Sequence, residues 1–183
     1  MEDDNVSIAD KLSAPFDPFD IEWRIQQAGE SNGKKWALVL AYVTNRAIME
    51  RLDEVFGVDG WQNEYSPMPD GGIICGIRCR LKMKFESQMP KDEPDYEWVT
   101  KYDGADKTAI EATKGGLSNA MKRAGVQWGI GRYLYKLDTT FVTLEAGKAP
   151  NGDFIPAFVK DLGGRHYFKR PDLPKFAMPK GDK

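Results

Sequence analysis

From Ile73 to Phe85 the chain alternates two chemistries with a period of two. Ile73, Cys75, Ile77, Cys79, Leu81, Met83 and Phe85 occupy every second position, and Arg78, Arg80, Lys82 and Lys84 stand between them. Successive side chains of a strand point to opposite faces, so the stretch reads as a strand with one apolar and one basic face. Solubility alone is usually served by mixed signs. Four outward cations in a row, with neighbours about 7 Å apart, repel one another. Such repulsion is relieved when a polyanion lies across the face.

The flanking pieces extend the sheet. "GWQNEYS" precedes the stretch as a second strand, separated by "PMPDGG", in which Pro restricts φ and Asp-Gly-Gly permits positive φ. "YEWVTKYDG" follows as another alternating strand, after the acidic linker "SQMPKDEPD". Further back, "WALVLAYV" is rich in β-favouring residues, and Thr44 stands where an N-cap would. Ile48, Leu52, Val55 and Phe56 then share one helical face, stopped by Gly57. The reading is α+β: an antiparallel meander of three or four strands, closed by a helix from about Asp106 to Gln127 that turns Ile110, Leu117, Met121, Ala124 and Trp128 toward the sheet. "IEWRIQQAGESNGKKW" reads as a short helix passing into a loop, and residues 1–20 as a disordered or loosely docked acidic arm. The Gly/Pro-rich chain after Leu137 offers no periodic element.

Several classes of function lack raw material. With 183 residues, 41% hydrophobic and 30% charged, the composition suits one soluble globular domain. Its longest apolar run, Trp36 to Val43, falls far short of the roughly 20 residues a membrane helix needs. The acidic, polar start resembles neither a signal nor a transit peptide, so a cytoplasmic location, that of a bacterial host, is expected. Cys75 and Cys79 on one strand would lie about 13 Å apart, beyond disulfide reach, and are expected as buried thiols. One histidine, His166, leaves little for a zinc site or a His-based triad. "GESNGKKW" has Ala28 and Lys35 where a phosphate loop needs Gly and Ser or Thr. No catalytic residue, metal or cofactor is therefore expected. A metal-dependent nuclease remains the alternative from another class, although the acids crowd into the arm and residues 86–111, where they read as solvated charge.

A second basic region lies at "NAMKRAGVQWGIGRYLY". Residues 112–136 carry Lys114, Lys122, Arg123, Arg132 and Lys136 and no acid. At about 100° per residue Lys114 and Lys122 share a stripe, with Arg123 on its neighbour, away from Leu117 and Met121. Gly115 and Gly116 each cost a helix about 1 kcal/mol, which points to close backbone approach. Trp128, Tyr133 and Tyr135 read as anchors of the helix end rather than as base-stacking rings.

The ordered set "IMERLDEVFGVDGWQNEY" and "EATKGGLSNAMKRAGVQWGIGRYLY" resembles the Rad-fifty-two-type single-strand annealing proteins, in particular their short phage, Sak-like members. The resemblance spans about Phe16 to Leu137. It implies a β-β-β-α core assembled into a homo-oligomeric ring or helical arc, with single-stranded DNA in a positive groove. The family's inner-groove pair falls on Lys122 and Arg123, a further groove arginine on Arg24, and a basic helix position on Lys114. Val126 stands where the family often has another basic residue. By this resemblance residues 21–145 form the annealing domain, between the arm of residues 1–20 and a basic extension of residues 146–183. From charge pattern alone, Arg78, Arg80, Lys82 and Lys84, or Lys34 and Lys35, are candidates for an outer DNA site. The implied function is ATP-independent binding and annealing of single strands in recombination and repair, with a single-strand-binding protein or an exonuclease as further partner. An end-protecting factor of the same fold is the nearer alternative.

Overall fold

The computed structural model describes residues 6–69, 71–82, 96–106 and 112–181, without the side chains of residues 112–114. Lys84, the acidic linker and the Lys114 side chain fall outside that set. The described residues form two compact units. One holds the chain up to Ala14 together with Thr44–Arg132, and the other holds Pro15–Val43 together with the chain from Tyr133 onward.

The first unit is built on the alternating stretch. Strands β3 (Trp61–Pro67), β4 (Ile73–Lys82) and β5 (Tyr96–Ala105) form an antiparallel sheet in the order β3-β4-β5. Cys75, Ile77 and Cys79 of β4 are fully buried, as the period-two pattern requires. Burial pushes the Cys75 thiol up to about 11, partly offset by a hydrogen bond from Tyr65, and the Cys79 thiol up to about 12. Both are free thiols.

Helix α3 (Ala112–Gln127) covers this apolar face with Ala120, Met121 and Ala124. Its glycines allow the approach: a Cβ on Gly116 would come within 3.0 Å of Ile73, and one on Gly125 within 3.3 Å of Ile48. Ile48 belongs to helix α2 (Asn45–Phe56), where the Thr44 hydroxyl accepts from Ala47 N–H at 3.0 Å and Gly57, at φ +76°, ends the helix. Trp128 packs edge-on to Phe56 and donates to the Ile77 carbonyl at 3.0 Å. Gly129 and Gly131 take positive φ in the turn that follows.

The expected loose arm holds a helix, α1 (Ile8–Ser13), capped by Ser7 and burying Leu12. The buried Arg51 guanidinium of α2 donates to the carbonyls of Lys11, Leu12 and Ala14, which fastens the end of α1.

The second unit is a five-stranded antiparallel sheet of β1 (Ile21–Ser31), β2 (Lys34–Val43), β6 (Thr140–Ala146), β7 (Phe154–Val159) and β8 (Gly164–Lys169), in the order β1-β2-β6-β8-β7. It corrects three expectations. Ile21–Ser31 is strand β1, not a helix: it pairs along its length with β2 (Lys34–Val43) across Asn32 and Gly33, both at positive φ. That is an Asn-Gly hairpin turn, whose twist matches paired strands. "WALVLAYV" is a strand, but it pairs with β1 and β6, not with the meander. The chain after Leu137 contributes β6 (Thr140–Ala146), β7 (Phe154–Val159) and β8 (Gly164–Lys169), strands of only six or seven residues. Ala37, Val39, Val142, Leu144 and Phe168 form this unit's core.

Candidate nucleic-acid interface

Helix α3 brings Lys122 and Arg123 to its outer side, because the positions that flank the pair, Met121 and Ala124, are buried against the sheet. Arg123 lies at the rim where α3 meets β5. There its Nε donates to Asp103 Oδ1 at 2.9 Å, and Gln127 donates to Asp103 Oδ2 at 3.0 Å. Burial pushes the Asp103 carboxyl up, but hydrogen bonds from Gln127, Arg123 and the Gly104 amide outweigh it and hold the group below its ordinary value. Asp103 belongs to the acids read as solvated charge. The structure instead makes it the half-buried partner of a candidate DNA contact. Arg132 is committed elsewhere: it donates to the Val126 and Gln127 carbonyls, and Lys101 also donates to the latter. Cations on the last carbonyls complement the negative end of the helix dipole. Trp128 is core, as expected of an anchor of the helix end, whereas Tyr135 is exposed, against that expectation.

On the other face of the same sheet Arg78 and Lys82 are exposed and Arg80 is half-buried. Register places aromatic neighbours beside them that the strand pattern alone did not assign to a face: Tyr96 opposite Lys82, Trp98 opposite Arg80, and Tyr102 opposite Gly76. The Arg78 guanidinium lies 5.1 Å from the Trp98 ring centre and that of Arg80 4.9 Å from Tyr96. Both are cation–π distances.

The remaining candidates sit in the second unit. Arg24 is exposed on β1 and borders a cleft of about 640 Å³ between the sheet's terminal strands, lined also by Trp23, Phe154, Phe158 and Arg170. Lys34 is exposed at the hairpin. Lys35 donates to the Leu162 carbonyl at 2.6 Å and lies 3.3 Å from His166 Nε2, while His166 Nδ1 lies 3.0 Å from the Gly164 carbonyl. The tautomer protonated at Nδ1 satisfies both nitrogens. Buried His166 thus serves the sheet, and it holds Lys35 with it.

Among the described residues no three His, Cys, Asp or Glu side chains gather to hold a metal ion, and no helix is long and apolar enough to cross a membrane.

Residues 5–152 match the family model described as Rad52/22 family double-strand break repair protein. Two relatives carry the name single-stranded DNA-binding protein DdrA. The one from Deinococcus radiodurans is 29% identical over 169 residues, covering 92% of this chain and 66% of the relative. The one from Deinococcus deserti is 28% identical over 176 residues, covering 92% of this chain and 80% of the relative. The chain thus spans just under two thirds of the first relative's length.

Proposed function

This chain belongs to the Rad52/22 family of double-strand break repair proteins, and from that premise we propose that it binds single-stranded DNA and anneals complementary strands without nucleotide hydrolysis. The observation that carries the reading is the family match over residues 5–152, which takes in the whole of α3 with its Lys122–Arg123 pair.

Two complementary strands repel through their phosphates. A protein that neutralises one backbone and leaves the bases open lowers the cost of their meeting. Lys122 and Arg123 act as sequence-independent phosphate contacts, helped by Lys114 on the same helix, while Arg24 on β1 contributes separately. Arg123 exchanges the Asp103 carboxylate for a phosphate, so it stays oriented in the free protein. Arg78, Arg80 and Lys82 provide a second, outer track. Repetition of these contacts in a homo-oligomeric ring or arc holds many nucleotides extended, in recombination of the phage type within a bacterial cytoplasm. A single-strand-binding protein or an exonuclease supplies the strands. No covalent bond changes, and the chain acts as no enzyme.

A second reading rests on the relatives' names, which state single-strand binding and nothing of annealing: the protein covers exposed strands and ends without pairing them. One assay separates the two. Complementary oligonucleotides are mixed with the protein in the absence of ATP and divalent metal. Faster annealing than in buffer supports the first reading. Tight binding with no acceleration, and protection of the strand from an added exonuclease, supports the second. In a separate arm with magnesium added, cleavage of the strands by the protein defeats both.

A further inference from the structure

Strand β5 breaks the rule that its neighbour β4 obeys. On β4 from Cys75 onward the apolar side chains face α3 and the charges face out. On β5 the face turned toward α3 carries Val99 with Lys101 and Asp103, which reach the end and rim of that helix. The outward face carries Tyr96, Trp98 and Tyr102, exposed by 47, 37 and 55%. Full burial of such a side chain contributes about 1.5–3 kcal/mol, so leaving about half of each ring exposed forgoes part of that at three positions. A local rule broken in this way marks a surface that works on something outside the fold.

The rings are also positioned. Gly76 leaves room for Tyr102, since a Cβ there would stand 2.5 Å from its ring. The Tyr102 hydroxyl donates to Glu64 Oε1 at 2.8 Å, which ties the ring across β4 to β3. Trp98 and Tyr96 are each overlaid by a guanidinium. Two acids border the face: Glu64, and Asp59 at 3.8 Å from Arg80. Arg78, Arg80 and Lys82 outnumber them.

We propose that this face of the β3-β4-β5 sheet is a base-stacking surface for a single nucleic-acid strand, with Tyr96, Trp98 and Tyr102 as stacking rings and Arg78, Arg80 and Lys82 as phosphate or stacking partners. The inference rests on the single-strand reading above and adds the bases as what is held. Alternate residues on a strand stand about 6.8 Å apart, twice the 3.4 Å spacing of stacked bases. Tyr96 and Trp98 at that spacing, and Tyr102 at about twice it, meet bases of an extended, unstacked strand, whereas a duplex hides its base faces. Guanidinium planes offer bases a second kind of stacking surface, so each Arg–ring pair presents a flat face and a positive charge together.

The test compares oligo-dT with an abasic oligodeoxynucleotide of equal length and charge, on the full chain. Tyr96→Ala with Trp98→Ala is expected to weaken oligo-dT binding about ten-fold or more, given the usual strength of base–aromatic stacking. Abasic binding and the salt slope should stay as in the wild type, and circular dichroism should show the fold intact. Lys122→Ala with Arg123→Ala should instead weaken both ligands alike. Equal loss of both ligands in the aromatic variant, or no loss, overturns the stacking proposal while the wild type's binding upholds the single-strand reading. A wild type that binds neither ligand overturns both. Mass photometry is run on the same samples: an aromatic variant that changes assembly size and leaves oligo-dT affinity unchanged makes the face a contact between copies and overturns the proposal.

Discussion

Arg123 on α3 and Arg78 on β4 are both exposed guanidiniums of one unit, held in place by opposite means. Arg123 is paired with a carboxylate, Asp103, at 2.9 Å. Arg78 lies over an indole. A carboxylate cancels a unit charge, whereas the ring quadrupole orients a cation and leaves its charge in place. An incoming phosphate must therefore compete for Arg123, while at Arg78 it meets charge already oriented and uncancelled. The helix site is built as an exchange and the sheet site as a standing platform.

The largest effect is expected from removing the exchange site. Lys122→Ala with Arg123→Ala should weaken single-strand binding about a hundred-fold at low salt, if each charge-assisted hydrogen bond contributes roughly 1.5 kcal/mol. The log–log salt slope should become shallower by about 1.4, at roughly 0.7 per phosphate contact on a single strand. A salt titration by fluorescence anisotropy checks both quantities. An unchanged slope would remove the pair from the phosphate track and leave the sheet face as the principal site.

A smaller effect of opposite sign tests the competition itself. Asp103→Asn keeps the shape and removes the charge that Arg123 must leave. Affinity at low salt is expected to rise a few-fold, while thermal stability falls by about 0.5 kcal/mol, the usual worth of a partly exposed ion pair. Tighter binding with lower stability is the signature of a residue shared between fold and ligand. Weaker binding would mean that Asp103 orients Arg123 for the strand rather than withholding it.

What the sequence made legible, and what it did not, follows the range of the interactions. β4 was readable because period-two alternation is local, and its buried thiols and exposed cations stand where that alternation puts them. The close packing of α3 was readable from its glycines, since Gly116 and Gly125 meet Ile73 and Ile48. The β1–β2 hairpin carried a legible signal in Asn32-Gly33, but "IEWRIQQ" has helix-compatible residues, and tertiary pairing decided in favour of the strand. Strands β6 to β8 are short and interrupted by Gly and Pro, so no window around them is long enough to show a period. Neither the Arg123–Asp103 pair nor the ring–guanidinium ladder could be read at all. The pair depends on how α3 packs on β5 and the ladder on β4–β5 register, and no local pattern specifies either. Charge counts by segment put Asp103 among solvated acids because they cannot see a partner twenty residues along the chain.

The smallest effect expected is a pH dependence, and its sign follows from the same pair. The folded protein holds the Asp103 carboxyl below its ordinary value, so the unfolded chain binds the proton more readily. The stability that the ionised group contributes is fully present above the unfolded carboxylate range, near pH 4, and is lost as pH falls through the lower folded value. Protonation at that point also frees Arg123. Between the two values, the wild type should therefore lose stability relative to its neutral-pH level more steeply than Asp103→Asn does, with the two profiles parallel above about pH 5. Urea unfolding across that range measures the difference. Parallel profiles at every pH would show that Arg123 and Gln127 hold Asp103 no better than water does, and the contrast between an exchanged cation on α3 and a standing one on β4 would lose its basis.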